Sequence, residues 1–430
     1  MKTFRTIIAL ATVAHCAATM PTAQAQSYLL DDDPQTPLLG FVGFGSGAES
    51  PWGFPTAPGS PSAPSPILPG IVGVVAGDGD IIGPGLTSIG APGLPYIGSL
   101  SDSANPGSGG FLYHLYFSAD RVSVGAAGSA LNGQTALNQQ PGDIFRGGSI
   151  FASPATVIGA MAALPAPFAG VLPTVNTPIG SNVLILDESR LGLPADATNA
   201  LLSATVPAMA LANGTHNNID GFDFSTIATA GIFTAQTYHT AYPDETFPFG
   251  IPTADVFDIA PGSTTFCGFP AFAATATMGL GFGDVIDAMV VFDNGAQGSV
   301  ACGGPGAQAG LDGILFSLAP GSPSLRQTGR SPGDVFFSDF SGNFGVFADA
   351  RQLGVRANAG GSPAASLDNV DALEFGCLGD LDLNGVVNFS DVILASNCST
   401  TSNCADFNLD GVTNAIDFNI LASNFNCTGG

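Results

Sequence analysis

Two stretches near the C-terminus carry oxygen-bearing side chains at a spacing that can hold a hard cation. The first reads Asp380-Leu381-Asp382-Leu383-Asn384-Gly385-Val386-Val387-Asn388-Phe389-Ser390-Asp391. The second reads Asp406-Phe407-Asn408-Leu409-Asp410-Gly411-Val412-Thr413-Asn414-Ala415-Ile416-Asp417. Both have twelve residues, Asp or Asn at positions 1, 3, 5, 9 and 12, and Gly at position 6. That is the pattern of a calcium loop, in which alternate side chains converge on one centre, glycine allows a sharp turn at positive φ, and the carbonyl of position 7 turns inward. The candidate ligands are Asp380, Asp382, Asn384, Val386, Asn388 and Asp391 in the first loop. In the second they are Asp406, Asn408, Asp410, Val412, Asn414 and Asp417. All donate oxygen, the set that suits Ca²⁺ at about 2.4 Å, so two ions are expected. Each loop holds three carboxylates, one charge more than the ion requires. The position-8 residues, Val387 and Thr413, are expected to pack or pair between the loops.

One such match is only moderately specific, because turns rich in Asp, Asn and Gly are common. Two matches 26 residues apart, each followed by the same helix-like run, are far more specific. The runs are Val392-Ile393-Leu394-Ala395-Ser396-Asn397 and Phe418-Asn419-Ile420-Leu421-Ala422-Ser423-Asn424. On these residues, about 376–427, the chain resembles type I dockerin domains. The resemblance implies a small α module of two calcium loop–helix units, with Asp rather than Glu at position 12, as Asp391 and Asp417 provide. It implies docking onto a cohesin-like or cell-surface partner, often to attach a polysaccharide-degrading enzyme. Positions 10 and 11 hold Phe389-Ser390 and Ala415-Ile416 where the family has a Ser-Thr-like pair, and the family's later basic pair is missing. The calcium pattern is therefore complete, whereas the partner-recognition pattern is not. The chain as a whole also resembles secreted Gly/Pro-rich β-repeat proteins of planctomycete type.

Other candidates for chemistry are weaker. His114, His216 and His239 stand outside any H-E-x-x-H, nucleophile-elbow or P-loop pattern. Asp187-Glu188 and Asp244-Glu245 are adjacent acids, which read as solvated corners rather than the two facing carboxylates of a glycoside hydrolase. Asn213-Gly214-Thr215 is a sequon, meaningful only in a glycosylating host. The catalytic residues of any enzyme here stay unknown.

Residues 1–25 read as a signal peptide: Lys2 and Arg5, an apolar run from Thr6 to Thr19, and Ala23-Gln24-Ala25 for cleavage. Its removal leaves seven Arg, no Lys and six Cys. An even cysteine count in an exported chain implies disulfides, and position along the chain favours Cys267 with Cys302. Within the dockerin resemblance, Cys377 and Cys427 are expected to clasp the module ends and Cys398 with Cys404 to close a small ring. Residues 26–110 form a Gly/Pro-rich segment, with thirteen prolines between Pro34 and Pro106.

Residues 111–375 read as a repeat of short β strands. One element recurs as Pro141 to Phe145, Pro252 to Phe257 and Pro332 to Phe336, each with an aspartate (Asp143, Asp255, Asp334). A second recurs as Phe151-Ala152 with Gly159, Phe272-Ala273 with Gly279, and Phe347-Ala348 with Gly354. A third is Asn218 to Phe222, Val285 to Met289 and Asn369 to Leu373; a fourth is Leu115 to Ser118 and Ile314 to Ser317. Aspartates at a fixed turn position cap that turn. The expected fold is mainly β, a β-propeller-like ring or a β-sandwich, with a small C-terminal α module at 376–430.

With 430 residues, 45% hydrophobic and 10% charged, the chain can bury a large core. A formal net charge of -25 excludes a nucleic-acid surface as the main business. No apolar run after the signal peptide reaches transmembrane length. The reading is a protein secreted to the cell surface or medium, with a calcium-dependent attachment module and a non-catalytic domain that binds a surface protein or an extracellular polysaccharide. The alternative is a dockerin-bearing glycoside hydrolase of polysaccharide catabolism.

Overall fold

The computed structural model describes residues 97–120, 123–135, 142–159, 161, 181–187, 219–223, 235–241, 254–261, 267, 270–357, 368–398 and 405–429, with the short strand segments 27–30, 52–53, 65–66, 228–229 and 232–233. Most of the regular secondary structure among them is antiparallel β, as the short β-branched and aromatic runs between Gly, Pro and Asp require. The signal-peptide reading, the sequon, Glu188, Asp244-Glu245, His216 and Cys404 lie outside the described residues.

Four sheets carry the fold. One joins β1 (Ser27–Leu30), β2 (Trp52–Gly53), β3 (Ser65–Pro66) and β8 (Ile219–Asp223) in the order β3-β2-β1-β8. A second joins β4 (Ile97–Asp102), β11 (Thr237–Ala241) and β12 (Val256–Ile259) in the order β12-β11-β4. The third runs in sequence through β13 (Ile286–Phe292), β14 (Gly313–Leu318), β15 (Val335–Ser338) and β16 (Gly345–Ala348). The fourth joins β5 (Tyr113–Ala119), β6 (Ile144–Gly147), β7 (Asn182–Leu186) and β17 (Val370–Cys377) in the order β17-β5-β6-β7. A two-stranded ribbon, β9 (Ala228–Thr229) with β10 (Ile232–Phe233), stands apart. β8, β4, β13 and β17 each end their sheet, and they neighbour one another in the cycle β4–β13–β17–β8–β4.

The repeat is visible in the geometry. Asp143, Asp255 and Asp334 each stand immediately before a strand, β6, β12 and β15. Asp255 Oδ1 accepts from Thr275 N at 2.7 Å, and Asp334 Oδ1 from Ala350 N at 2.8 Å. Each amide opens a short 3-10 turn, Thr275–Met278 or Ala350–Leu353; the first unit has Pro154–Thr156 at the same place. Gly159, Gly279 and Gly354 follow these turns at φ 80, 81 and 71°. A side chain on Gly354 would stand 2.6 Å from Ser181 C, so both φ and space demand glycine there.

Two buried clusters fill the interior. One packs Tyr238, Phe272, Phe316, Phe336 and Phe344 between the second and third sheets. The larger one packs Tyr113, Phe117, Phe145, Phe292, Phe337 and Phe375, and continues without a break into Leu378, Val387, Ala395, Phe407 and Leu421. The C-terminal stretch therefore shares its core with the β sheets. Its two helices are α3 (Phe389–Asn397) and α4 (Ala415–Ser423); the six-residue α1 (Ala130–Thr135) and α2 (Pro323–Thr328) lie among the strands.

Hydrogen bonds fasten this junction. The Asn424 side chain accepts from Leu112 N at 2.9 Å and donates to Leu112 O at 2.6 Å and Leu378 O at 2.7 Å. Cys377, at the end of β17, is bonded to Cys427, 50 residues on, and Cys267 to Cys302, two of the three expected pairs. Cys398 is disulfide-bonded as well; its expected partner Cys404 lies outside the described residues.

Candidate metal centre

The first loop begins three residues after β17 and curls around its own aspartates. Asp380 accepts from Asn384 N at 3.1 Å and Gly385 N at 2.7 Å. Asp391 accepts from Leu381 N at 2.7 Å, Asp382 N at 3.3 Å and Asn388 N at 2.8 Å. The Asn384 side chain accepts from Val386 N at 2.9 Å. Gly385 takes φ 79°, the position-6 turn the pattern requires, and Leu383 takes φ 58°. That conformation costs a non-glycine residue about 1–2 kcal/mol, offset here by burial of the Leu383 side chain. As a result Asp380, Asp382 and Asp391 each bring one oxygen within 4.8 Å of the others. Asp382 Oδ1 is buried with no hydrogen-bond partner.

The second loop repeats this frame. Asp406 accepts from Asp410 N at 3.1 Å and Gly411 N at 2.7 Å. Asp417 accepts from Phe407 N at 2.8 Å and Asn414 N at 2.8 Å. Gly411 and Leu409 take φ 90° and 55°. Its third carboxylate stands at position 5 instead of 3, and Asp410 is exposed, receiving Asn408 Nδ2 at 3.0 Å and Val412 N at 2.9 Å.

Positions 9 and 12 serve the helices too. Asn388 and Asn414 are N-caps whose side chains accept from Ser390 N and Ile416 N, while Asp391 and Asp417 accept the cap amides in return. Asn388 Nδ2 and Asn414 Nδ2 donate to the position-7 carbonyls of Val386 and Val412, both at 3.0 Å. With its oxygen committed to a cap, position 9 suits ligation through a water. Of the two arrangements expected of position 8, packing or pairing between the loops, Val387 shares a buried cluster with Phe407 of the second loop, and its backbone pairs elsewhere. Val387 N donates to Cys427 O at 3.1 Å and Val387 O accepts from Asn426 N at 2.8 Å. The C-terminal segment takes the slot, because the Cys377–Cys427 bond brings it there.

Electrostatics separate the two loops. Burial, then the neighbouring charge of Asp391, holds the Asp380 carboxyl well above the usual carboxylate range. Asp382 is raised by the same causes in the same order. Asp410 is lowered, by the hydrogen bonds from Asn408 and Val412. Arg146, on β6 and 2% exposed, reaches the second loop. Its Nη2 donates to Asp406 O at 3.2 Å, and its guanidinium lies 5.6 Å from the centre of the Phe407 ring. Sequence reasoning passed over Arg146. The signal was its place in the repeat: three residues after Asp143, Asp255 and Asp334 stand Arg146, Asp258 and Phe337.

Elsewhere, Asp258 lies close to Cys267 and Cys302, but both sulfurs are spent in their disulfide and cannot ligate as thiolates. His114 and His239 are buried in strands, and burial pushes both imidazoles down, His239 to about 3. His114 has its Nδ1 3.1 Å from Ser149 O. No helix of the described residues is long and apolar enough to cross a membrane. No family model, no curated protein and no solved structure matches the chain.

Proposed function

We propose that this chain is an extracellular, non-catalytic binding or assembly protein whose dockerin-like C-terminal unit takes up two Ca²⁺ ions. The observation that carries the reading is the convergence of Asp380, Asp382 and Asp391 within 4.8 Å, with a buried unpartnered oxygen on Asp382. Three acids at that separation, Asp380 and Asp391 buried and Asp382 half-buried, repel one another, and a divalent cation removes the repulsion. Oxygen donors with a glycine turn between them suit calcium over transition metals. The donors are those named above; in the second loop Asp406, Asp410 and Asp417 supply the charge. At extracellular, millimolar Ca²⁺, a loop with a dissociation constant about a hundredfold lower would gain about 2.7 kcal/mol.

The cycle of inner strands β4, β13, β17 and β8 favours a small propeller-like ring over a two-layer sandwich for the β domain. Phe389, Ile393 and Ile416 on the tail helices are exposed, and a surface protein docking there would cover them. The test is calorimetric titration of the chelator-stripped mature chain with CaCl₂. Two bound ions, with the first lost in Asp382→Asn, support the reading; no heat of binding would falsify it.

A further inference from the structure

Arg146 belongs to the β domain, yet its guanidinium is buried against the second loop. Burial of a charge is costly unless it meets opposite charge. Burial, the largest influence on it, disfavours its charge, whereas the carboxylates of Asp406 and Asp417, positions 1 and 12 of that loop, favour it. Its Nη2 is spent on the Asp406 carbonyl, and its Nε is buried without a partner. Gly148, two residues on, lies so close that a side chain there would come within 2.8 Å of Leu409 Cδ1. β6 is thus pressed onto the second loop by both charge and shape. The first loop has no such neighbour among the described residues: its acids face one another, and Asp382 keeps an unpartnered oxygen.

Resting on the calcium reading, we infer that the two loops are unequal sites, and that Arg146 is the residue that makes them so. It is a built-in cation which already balances Asp406 and Asp417, so the second loop binds a divalent ion more weakly than the first. Two effects act in the same direction. The acids of the second loop have less repulsion for an ion to relieve, and the guanidinium repels the ion directly. Filling the first loop is then a local event. Filling the second is felt by β6, because the ion and Arg146 compete for the same carboxylates. Coupling is reciprocal, so whatever strengthens the hold of Arg146 on the loop weakens ion binding there by the same factor.

The experiment uses the mature full-length chain with its disulfides intact, stripped by chelator and titrated with CaCl₂ in a calorimeter. Wild type should show two sites whose affinities differ by about tenfold or more, the scale of one like-charge interaction in a partly buried setting. Asp382→Asn should abolish the tighter site and Asp410→Asn the weaker one. Arg146→Met, which keeps the apolar stem against Phe407, should raise the affinity of the weaker site on the order of tenfold. Arg146→Lys, which keeps the charge, should leave that site weak. If Arg146→Met fails to fold by circular dichroism, the order of the two sites in the loop variants still decides. A second loop that is equal to or tighter than the first, or an affinity that Arg146→Met leaves unchanged or lowers, overturns the inference while the calcium reading stands. Absence of any binding heat in wild type overturns both.

Discussion

His239 offers a direct measure of how dry the β domain is. It sits on β11, between β12 and β4, 1% exposed, with its ring centre 5.9 Å from that of Phe257. Burial alone pushes its pKa down to about 3. In the unfolded chain it would titrate near 6.5. The folded value lies below the unfolded one, so the neutral ring is accommodated in full above pH ~6.5. As pH falls below that point, only the unfolded chain takes up the proton, and the folded state loses ground until about pH 3. Between pH 7 and pH 5 the loss is about 2 kcal/mol, 1.36 kcal/mol for each pH unit below 6.5 with a small correction near pH 7. The total pH dependence would not isolate this effect. Asp258, Asp312 and Asp334 are raised by burial, so they oppose it, returning stability as pH falls through their folded values. The comparison is therefore wild type against His239→Phe, in urea unfolding followed by circular dichroism at pH 7, 6 and 5. Phenylalanine keeps a ring beside Phe257, and any constant packing cost cancels in the difference. Wild type should lose about 2 kcal/mol relative to the variant between pH 7 and 5. Stability curves that run parallel over that range would show that the site is hydrated, and would refute the reasoning.

Two further predictions test the junction between tail and sheets. Removing the Cys377–Cys427 bond by a double change to Ala should lower stability by up to about 4 kcal/mol, the chain-entropy value for a loop of this length; denaturant titration of both proteins at saturating Ca²⁺ measures it, and a change under about 1 kcal/mol would mean that residual structure in the unfolded chain already holds the ends together. Asn424→Ala should cost about 2–4 kcal/mol, because the Leu112 amide and the carbonyls of Leu112 and Leu378 lose their partner; a loss confined to the tail helices, with the β signal unchanged in thermal melts, would count against a shared core.

The twelve-residue loop frames and the β repeat were legible because both are local. A twelve-residue loop declares its turn through Gly385 or Gly411, and its helix through Asn388 or Asn414 three residues before an Asp. In the same way Asp255 and Gly279 mark the two ends of a single repeated corner, and the structure puts them there. Pairing between distant segments was not legible. β4 comes from the Gly/Pro-rich segment before residue 111, yet it pairs with β11, more than 130 residues later, and joins the inner cycle. Pro95-Tyr96-Ile97-Gly98 matches the repeat only weakly, and the run Ile97 to Asp102 is too short to fix a strand without the partner that completes it. Arg146 was hidden for a related reason. A lone arginine in a β run reads as solvent-facing, and only the return of the chain at residue 406 buries it.

This arrangement changes what calcium would do for the protein. In a freestanding unit, an ion stabilises only the loops that hold it. Here Leu378, Val387, Phe407 and Leu421 belong to the same buried cluster as Tyr113, Phe117 and Phe375. Tyr113 stacks on Phe375 with centroids 4.6 Å apart, and Gly429 lies against both Tyr113 and the sulfur of Cys377. A tail that loosened without its ions would uncover the end of β17 and one side of β5, the two strands that join the end of the chain to the start of the repeat. Ion uptake and closure of the β domain then draw on one core, so chelation should lower the unfolding midpoint of the β signal itself and not only that of the two tail helices. A β midpoint in thermal melts that is the same with calcium and with chelator would separate the two and refute the shared-core account.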